Sequence, residues 1–592
     1  MVELNNFKWE PVKGQIMTKW AEDVDPNNPL PEYPRPQLRR EDWKNLNGLW
    51  NYAILPREEK INKAFDSKIL VPFPIESALS GVGKELNANQ RLWYQCFFKV
   101  PHSWNGKKIL LHFGAVDWEM ELWINNKKVG THKGGYTSFY FDITNYITLD
   151  KENDLVVVVW DPTNKGTQER GKQSLTPEGI YYTAVSGIWQ TVWLEPVSIT
   201  FIKHIEIICD IDAETLDLVL DVEGIQLNDF IHIEIKEKDK IIITQKHQFS
   251  TKIKIKIPSP KLWSPNSPFL YDLILKIERE GEIIDEINSY FGMRNIELSP
   301  IKDGFRKILL NNNLIFQYGT LDQGYWPDGL YTAPTDEALY YDIEITKKLG
   351  FNMIRKHVKV EPARWYYHCD KIGILVWQDM PNGGNEILVP TKTIENLKQS
   401  DRDDQEKKQY YNELEAMIKQ IFNSPSVIVW VPFNEGWGQF DTESVVKKIK
   451  ELDRTRLVDN ASGWFDHGVG DICDRHHYPR PKMPEINKIG DRAAVIGEFG
   501  GLGLEIKNHI WKCSSKFVYR NYDDPNRMLN KYRQLISRLK KLLEEGLVGA
   551  IYTQITDVEG EVNGLLTYDR KIIKMNENQL KVLNLSLYQD IR

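Results

Sequence analysis

Cysteine is scarce in this chain. There are five, Cys96, Cys209, Cys369, Cys473 and Cys513; the number is odd, the spacings are long and no C-x-x-C occurs. Neither a disulfide framework nor a zinc site is expected. Positive charge is not in excess: 76 Lys and Arg stand against 83 Asp and Glu, a net charge of −7. That leaves no electrostatic footprint for nucleic acid and no polybasic patch for a membrane. No run of about 18 apolar residues is present, so no membrane span is expected. The opening residues "MVELNNFKWEPVKGQIM" lack the basic-then-apolar order of a signal peptide, and a cytoplasmic protein is the default expectation. Aromatics, by contrast, are plentiful, with 19 Trp, 26 Tyr and 22 Phe. Most serve cores, but the C–H faces of a pyranose also stack on aromatic planes.

The 592 residues exceed one core and predict about three or four domains. Residues 1–197 read as all-β. "RLWYQCFFKVP" (91–101), "SFYFDIT" (138–144) and "NDLVVVVWDP" (153–162) are strand-length runs separated by turn residues, as in a sandwich. Before them "DPNNPLPEYPRPQLRR" (25–40) reads as an extended arm over the surface. Residues 198–300 form a second all-β block of immunoglobulin-like size, in which the Lys-rich run 231–257 alternates polar with apolar as a half-solvated strand does. From 301 to 592 apolar runs alternate with helix-period segments such as "TDEALYYDIEITKKLG" (335–350), with Thr335 as N-cap and Gly350 as the stop. Eight strand candidates, most followed by a helix, predict a (β/α)₈ TIM barrel, with the fifth and sixth units the least complete.

Barrel active sites lie at the C-terminal strand ends, so the polar residues that finish these runs are the candidates. The fourth run, "SVIVWVPFNEGWGQFD", ends on Asn434 and Glu435, followed by Trp437. The seventh, "AAVIGEFGG", ends on Glu498; the sixth carries His476, His477 and Tyr478; the second Arg355 and His357; the third Asp379; the eighth Gln554 and Asp557. Two carboxylates from different strands facing one mouth are what glycoside hydrolysis requires. The glycines beside Glu498 (Gly497, Gly500, Gly501) suggest room for a sugar ring over that carboxylate.

With "VPFPIES" (71–77), "VSGIWQTVWLE" (185–195), "LWSPNSPFLYDL", "YFGMRNIEL", "LGFNMIRKH", "CDKIGILVWQDMP", "FNEGWG" and "GEFGG" in this order, the chain resembles glycoside hydrolase family 2, whose founding members include β-galactosidase, β-glucuronidase and β-mannosidase. The resemblance implies a jelly-roll sugar-binding-like domain, an immunoglobulin-like β-sandwich and a catalytic barrel. It implies Glu435 as acid/base, Glu498 as nucleophile, Tyr478 as the group holding the nucleophile, and Asn434 as a contact to the sugar 2-hydroxyl. Glu498 must be ionised to attack and Glu435 must carry a proton for the leaving oxygen; retention is the expected outcome, with carboxyl groups about 5–5.5 Å apart.

Departures from the pattern narrow the substrate. In "TQITDVEGEVNGLLTYDR" (553–570) Gln554 stands where several relatives have tryptophan. Asn563-Gly564-Leu565 replaces the Asn-x-Lys that β-glucuronidases use for a carboxylate, which disfavours a uronic acid. Asp322 and Trp326 in "TLDQGYWPDGLY" (320–331), with Gln554, His357, His477 and Trp437, are candidate substrate contacts, and Arg355 a supporting group. No trio of carboxylate and histidine matches the magnesium site of the long β-galactosidases, so no metal and no cofactor are expected. The expected activity is that of a retaining exo-glycosidase on an oligosaccharide or glycoside, a β-galactosidase first. An α-L-arabinofuranosidase, a β-mannosidase or another neutral glycosidase of the family stays open, as do a non-catalytic carbohydrate-binding protein and a homo-oligomer.

Overall fold

Alternation of apolar and polar residues builds the first third of the chain into two facing antiparallel sheets. The computed structural model describes residues 8–59, 65–301, 304–384, 400–478, 480–513 and 515–589. The larger sheet has six strands, centred on Gln90–Lys99 and Glu152–Trp160, and the smaller has four, centred on Lys108–Phe113 and Val192–Val197. Leu92, Tyr94, Leu122, Val157, Leu111 and Leu194 are among the side chains that close the space between them. A second sandwich pairs Phe201–Asp210, Thr215–Glu223 and Lys252–Lys256 against a four-stranded sheet containing Phe230–Glu237 and Tyr271–Arg279. Its Lys252–Lys256 strand alternates exposed Lys with buried Ile, as the sequence pattern predicts.

The Pro-rich segment 25–40 is not the surface arm the sequence suggested. Tyr33, Leu38 and Arg40 are buried. Tyr33 Oη donates to Glu195 at 2.6 Å, Arg35 pairs with Glu195 at 2.8 Å, and Arg40 pairs with Asp285 at 3.0 Å. The segment therefore ties the first sandwich to the second, its prolines keeping it extended while its polar side chains find buried partners.

The rest of the chain is the barrel. Its strands are β1 Gln317–Asp322, β2 Met353–Lys356, β3 Leu375–Asp379, β4 Val427–Val431, β5 Leu457–Val458, β6 Ile472–His476, β7 Ala493–Gly500 and β8 Leu547–Thr553. All pair in parallel, in the order β5-β4-β3-β2-β1-β8-β7-β6. The seam between β5 and β6 is held by a parallel bridge from Asp459 to Ile472 and by Asp471 N–H to Val458 O at 2.8 Å. It is the thinnest part: β5 has two residues, no helix separates it from β6, and a single turn, Ile486–Ile489, follows β6. Longer helices cover the other strands. Asp336–Lys348 is capped by Thr335, and Ala363–Ile372 stops on Gly373 in the left-handed region. Leu321, Met353, Leu375, Val429, Ile472 and Val495 are among the residues filling the barrel interior. The expected boundary at 300 falls inside a small sheet, where Ile296–Leu298 pairs with Ile308–Leu310; Ile296 and Ile308 pack into the barrel core. No described helix is long and apolar enough to cross a membrane.

Candidate active site

A parallel strand buried on both faces shows its polar groups only where it ends. β4 stops at Val431, and Asn434 and Glu435 stand just beyond it. Glu435 has φ +50°, a conformation that costs a non-glycine residue energy. It is held there by Glu435 N–H to Ser462 O at 2.8 Å and by the bridge between Asn434 and Ser462. Glu498 lies on β7 opposite His476 of β6 in strand register. The side chains of Glu435, His476 and Glu498 each offer an atom within 4.8 Å of the other two. A divalent cation accepts such spacing; so does an anomeric carbon lying between two carboxylates.

Glu498 is buried and heavily supported. Tyr478 Oη donates to its Oε2 at 2.7 Å, Arg355 Nη1 stands 3.5 Å and His476 Nδ1 3.7 Å from Oε1. Burial alone would push this carboxyl up, but the basic groups around it, His476 first, outweigh it and bring it down to about 2. Arg355, fully buried, grips Asp379 through two 2.9 Å bonds and Asn434 Oδ1 through one of 2.8 Å. The planar guanidinium thus fixes the ends of β2, β3 and β4 to one another. Asn434 Oδ1 is thereby used, while its Nδ2 is buried without a partner among the described residues. His357 shares a proton with Asp379 at 2.9 Å. Burial, followed by the charge of Lys172, holds its imidazole well below its usual range, so it is neutral.

The first sandwich contributes to this mouth. Its loop around 170 docks on the end of β3, with Arg170 and Gly171 N–H groups reaching Asn382 O at 2.8 and 3.0 Å. From it Lys172 projects, 5% exposed, with its Nζ 5.5 Å from the Tyr182 ring centre and 5.9 Å from that of Trp437. No hydrogen bond or ion pair reaches its ammonium from the described residues. Half-buried Trp437 lies against Tyr181 of the same sandwich, ring centres 5.9 Å apart, and the two form one wall of the mouth.

Not every expected residue joins. His476 faces both carboxylates, whereas the neighbouring His477, just past the end of β6, uses its backbone N–H on Glu498 O, and its Nδ1 is buried without a partner among the described residues. Asp322 is not a free sugar ligand: Lys356 Nζ takes Oδ2 at 2.6 Å and Gly324 N–H takes Oδ1 at 2.8 Å. Gln554 is fully buried and engaged at both ends, by Gln323 at 2.8 Å and Asn563 at 2.9 Å. Trp326 packs edge-on to Trp20 and under Arg570. The glycines beside Glu498 stand where neighbouring side chains leave no room for a Cβ. A Cβ on Gly497 would lie 1.9 Å from Asp474 Oδ2, and one on Gly500 2.4 Å from the Tyr552 ring. The pair "HH" does not reveal which ring faces inward, and Lys172 escapes the barrel pattern because it comes from another domain.

Three sequence profiles of one family match in chain order: the sugar binding domain of glycosyl hydrolases family 2 over 67–195, a further family 2 domain over 196–294, and the family 2 TIM barrel domain over 328–496. Together they cover more than half of the chain. The chain belongs to glycosyl hydrolase family 2. This family 2 chain is 29% identical over 391 residues to a β-galactosidase of Thermoanaerobacter pseudethanolicus, a match covering 62% of the chain and 47% of that protein. It is 24% identical over 457 residues to a β-glucuronidase of Paenibacillus borealis, covering 72% and 73%. In fold it follows the β-D-glucuronidase of Dictyoglomus thermophilum, at a TM-score of 0.73 and 18% identity over 94% of this chain and 98% of that one. It likewise follows the β-glucuronidase of Ruminococcus gnavus, at 0.74 and 18% over 94% and 100%. The family 2 chain thus spans about half the length of the first of these relatives.

Proposed function

We propose that Glu498 is the nucleophile and Glu435 the acid/base of a retaining exo-glycosidase, acting on a neutral β-galactoside. The observation that carries this is the approach of a Glu435 and a Glu498 oxygen to within 4.8 Å at the ends of β4 and β7, with Glu498 held ionised. Glu498 attacks the anomeric carbon and forms a glycosyl ester while Glu435 protonates the leaving oxygen; water, deprotonated by Glu435, then opens the ester with net retention. Asn434 Nδ2 supplies a donor for a sugar hydroxyl at the reacting centre. Tyr478 holds the nucleophile, and Trp437 with Tyr181 offers an apolar face. The β-galactoside is supported by the Thermoanaerobacter relative. It is also supported by Asn563, which is fully buried and bonded to Glu561 and Gln554 rather than open to a carboxylate.

One observation favours a second substrate, an acidic glycone: the buried Lys172 at the mouth, whose ammonium has no hydrogen bond or ion pair among the described residues. A panel of nitrophenyl glycosides, including β-galactoside, β-glucuronide, β-mannoside and α-L-arabinofuranoside, decides, read together with labelling of Glu498 by the matching 2-fluoro glycoside. Hydrolysis of none of them, or no label on Glu498, sinks the glycosidase assignment. On either substrate a charge-assisted donor contributes about 1.5–3 kcal/mol, so Lys172→Met should lower kcat/KM by about 10- to 100-fold. If the acidic reading holds, the loss is larger on the uronide than on the galactoside.

A further inference from the structure

Behind Glu435 lies a chain of buried polar groups that double displacement by two glutamates does not by itself call for. His476 Nδ1 is 2.8 Å from Glu435 Oε1, and its Nε2 is 2.8 Å from Ser462 Oγ. Ser462 Oγ in turn bonds Asp474 Oδ2, and Asp474 Oδ1 accepts the Gly497 N–H. His476 and Asp474 are both buried.

Counting protons along this chain fixes its direction. Asp474 can only accept, so the Ser462 hydroxyl gives it its proton. Ser462 Oγ is then left with lone pairs toward His476, whose Nε2 must carry a hydrogen. Nδ1 is the one ring position free to gain or lose a proton, and it faces Glu435. We propose that Glu435 and His476 act as a pair holding one transferable proton, with Ser462 and Asp474 as the fixture that assigns the imidazole to this task. His476 is a positioning residue here, acting on the sugar through Glu435. The inference rests on the assignment of Glu435 and Glu498 given above.

The remaining groups around the ring bear on when the pair is loaded. Glu498 Oε1 lies 3.7 Å from Nδ1, Asp474 4.0 Å from Nε2, and Arg355 Nη1 3.5 Å from Nε2, that nitrogen also donating to Gly497 O at 3.2 Å. His357 is neutral, and Asp459, behind Asp474, is pushed well above the carboxylate range by burial and by Asp474. Burial alone would lower the His476 imidazole, but Glu498, Glu435 and Asp474 reverse this and raise it. While Glu498 is ionised the pair keeps its proton. In the first step the glycosidic C–O bond breaks, the Glu498 ester forms and the proton passes through Glu435 to the leaving oxygen. The empty pair then sets the Nδ1 lone pair against a carboxylate, which favours taking a proton from the incoming water. That water's oxygen bonds the anomeric carbon, the ester breaks and the pair is reloaded.

The test compares wild type, His476→Gln and Ser462→Ala on aryl glycosides of the sugar the panel selects. Glutamine can hydrogen-bond Glu435 but cannot hold the proton. His476→Gln should lose about 100-fold in kcat/KM on a phenyl glycoside, whose leaving oxygen needs a proton. It should lose less than about 5-fold on a 2,4-dinitrophenyl glycoside, which needs none. The basic limb of its kcat/KM–pH profile should move at least about one unit toward the range of an isolated glutamic acid, near pH 4.3. Ser462→Ala should move it the same way by less. Equal losses on both leaving groups with an unmoved basic limb overturn the proposal; if His476→Gln does not fold, an unmoved limb in Ser462→Ala does so alone. Wild type that hydrolyses no glycoside removes the parent assignment along with this one, whereas active wild type with insensitive variants removes only the pair.

Discussion

Two sides of one barrel mouth carry similar residues to different ends. On the β4, β6 and β7 side, Glu435, Glu498 and Asn434 keep hydrogen-bonding capacity unspent, and the Asn434 Nδ2 has no partner among the described residues. On the β1 and β8 side, Asp322, Gln554, Asn563 and Asp557 are just as polar and just as buried. Their atoms, however, are taken up by Lys356, Gly324, Gln323, Glu561, Lys574 and one another. A polar residue at a strand end marks a site only when its neighbours leave it something to offer. Closed networks hold the wall in place; open ones meet substrate.

The sharpest way to break this contrast is to remove the open carboxylates. Glu498→Ala should lower kcat by at least about 10⁴-fold on every glycoside, because no ester can form. Glu435→Ala should cost about 10²–10⁴-fold where the leaving group needs a proton, with azide restoring turnover on an activated aryl glycoside. Steady-state rates on the two leaving-group classes check both. A Glu498→Ala enzyme that retained wild-type activity would place the chemistry elsewhere.

Much of this was legible before any coordinates. Barrel strands hide apolar residues and end on polar ones, so strand ends pointed to Glu435, Glu498, Asn434, Tyr478 and Arg355, which the fold gathers at one mouth. What could not be read was partnership. Asp322 lies opposite Lys356 in the register of β1 and β2, a pairing that exists only once the strands align. His476 rather than His477 meets Glu498 because register, not sequence, selects the inward ring. Lys172 arrives from a different domain, where no barrel pattern leads.

The closed side should answer to stability measurements instead. Lys356 bridges Asp322 at 2.6 Å and Glu361 at 2.8 Å, all three buried. Lys356→Met takes the cation from Asp322 and leaves Glu361 only Lys359, at 2.9 Å, and breaking a buried pair in this way costs about 3–5 kcal/mol. Denaturant unfolding should show that loss. Gln554→Ala should alter kcat/KM by less than about tenfold, since a neutral hydrogen bond contributes only about 1 kcal/mol. A loss on the scale of Glu435→Ala would instead put Gln554 among the open groups.

The smallest expected effect extends the comparison to the sandwiches, through histidines of opposite sign. His112, stacked on Trp193 with ring centres 4.7 Å apart, is lowered by burial to about 3; His132 and His204 are lowered, again chiefly by burial, to about 4. Folded, these three remain neutral through mildly acid pH. Unfolded, each takes a proton below about 6.5. The unfolded state then binds more protons, so the stability they leave intact above that pH falls as pH drops toward 4. His476 works the other way: raised in the fold, it adds stability below the unfolded value that is lost as pH rises through its folded one. With His357 of the barrel, also lowered by burial, four lowered rings against one raised ring predict less stability in mild acid from this source. Urea midpoints followed by tryptophan fluorescence at about pH 7.5 and 4.5 should therefore show a drop, and His112→Gln should flatten it. An equally steep drop in that variant would mean that the buried neutral ring at 112 is not a source of the acid sensitivity.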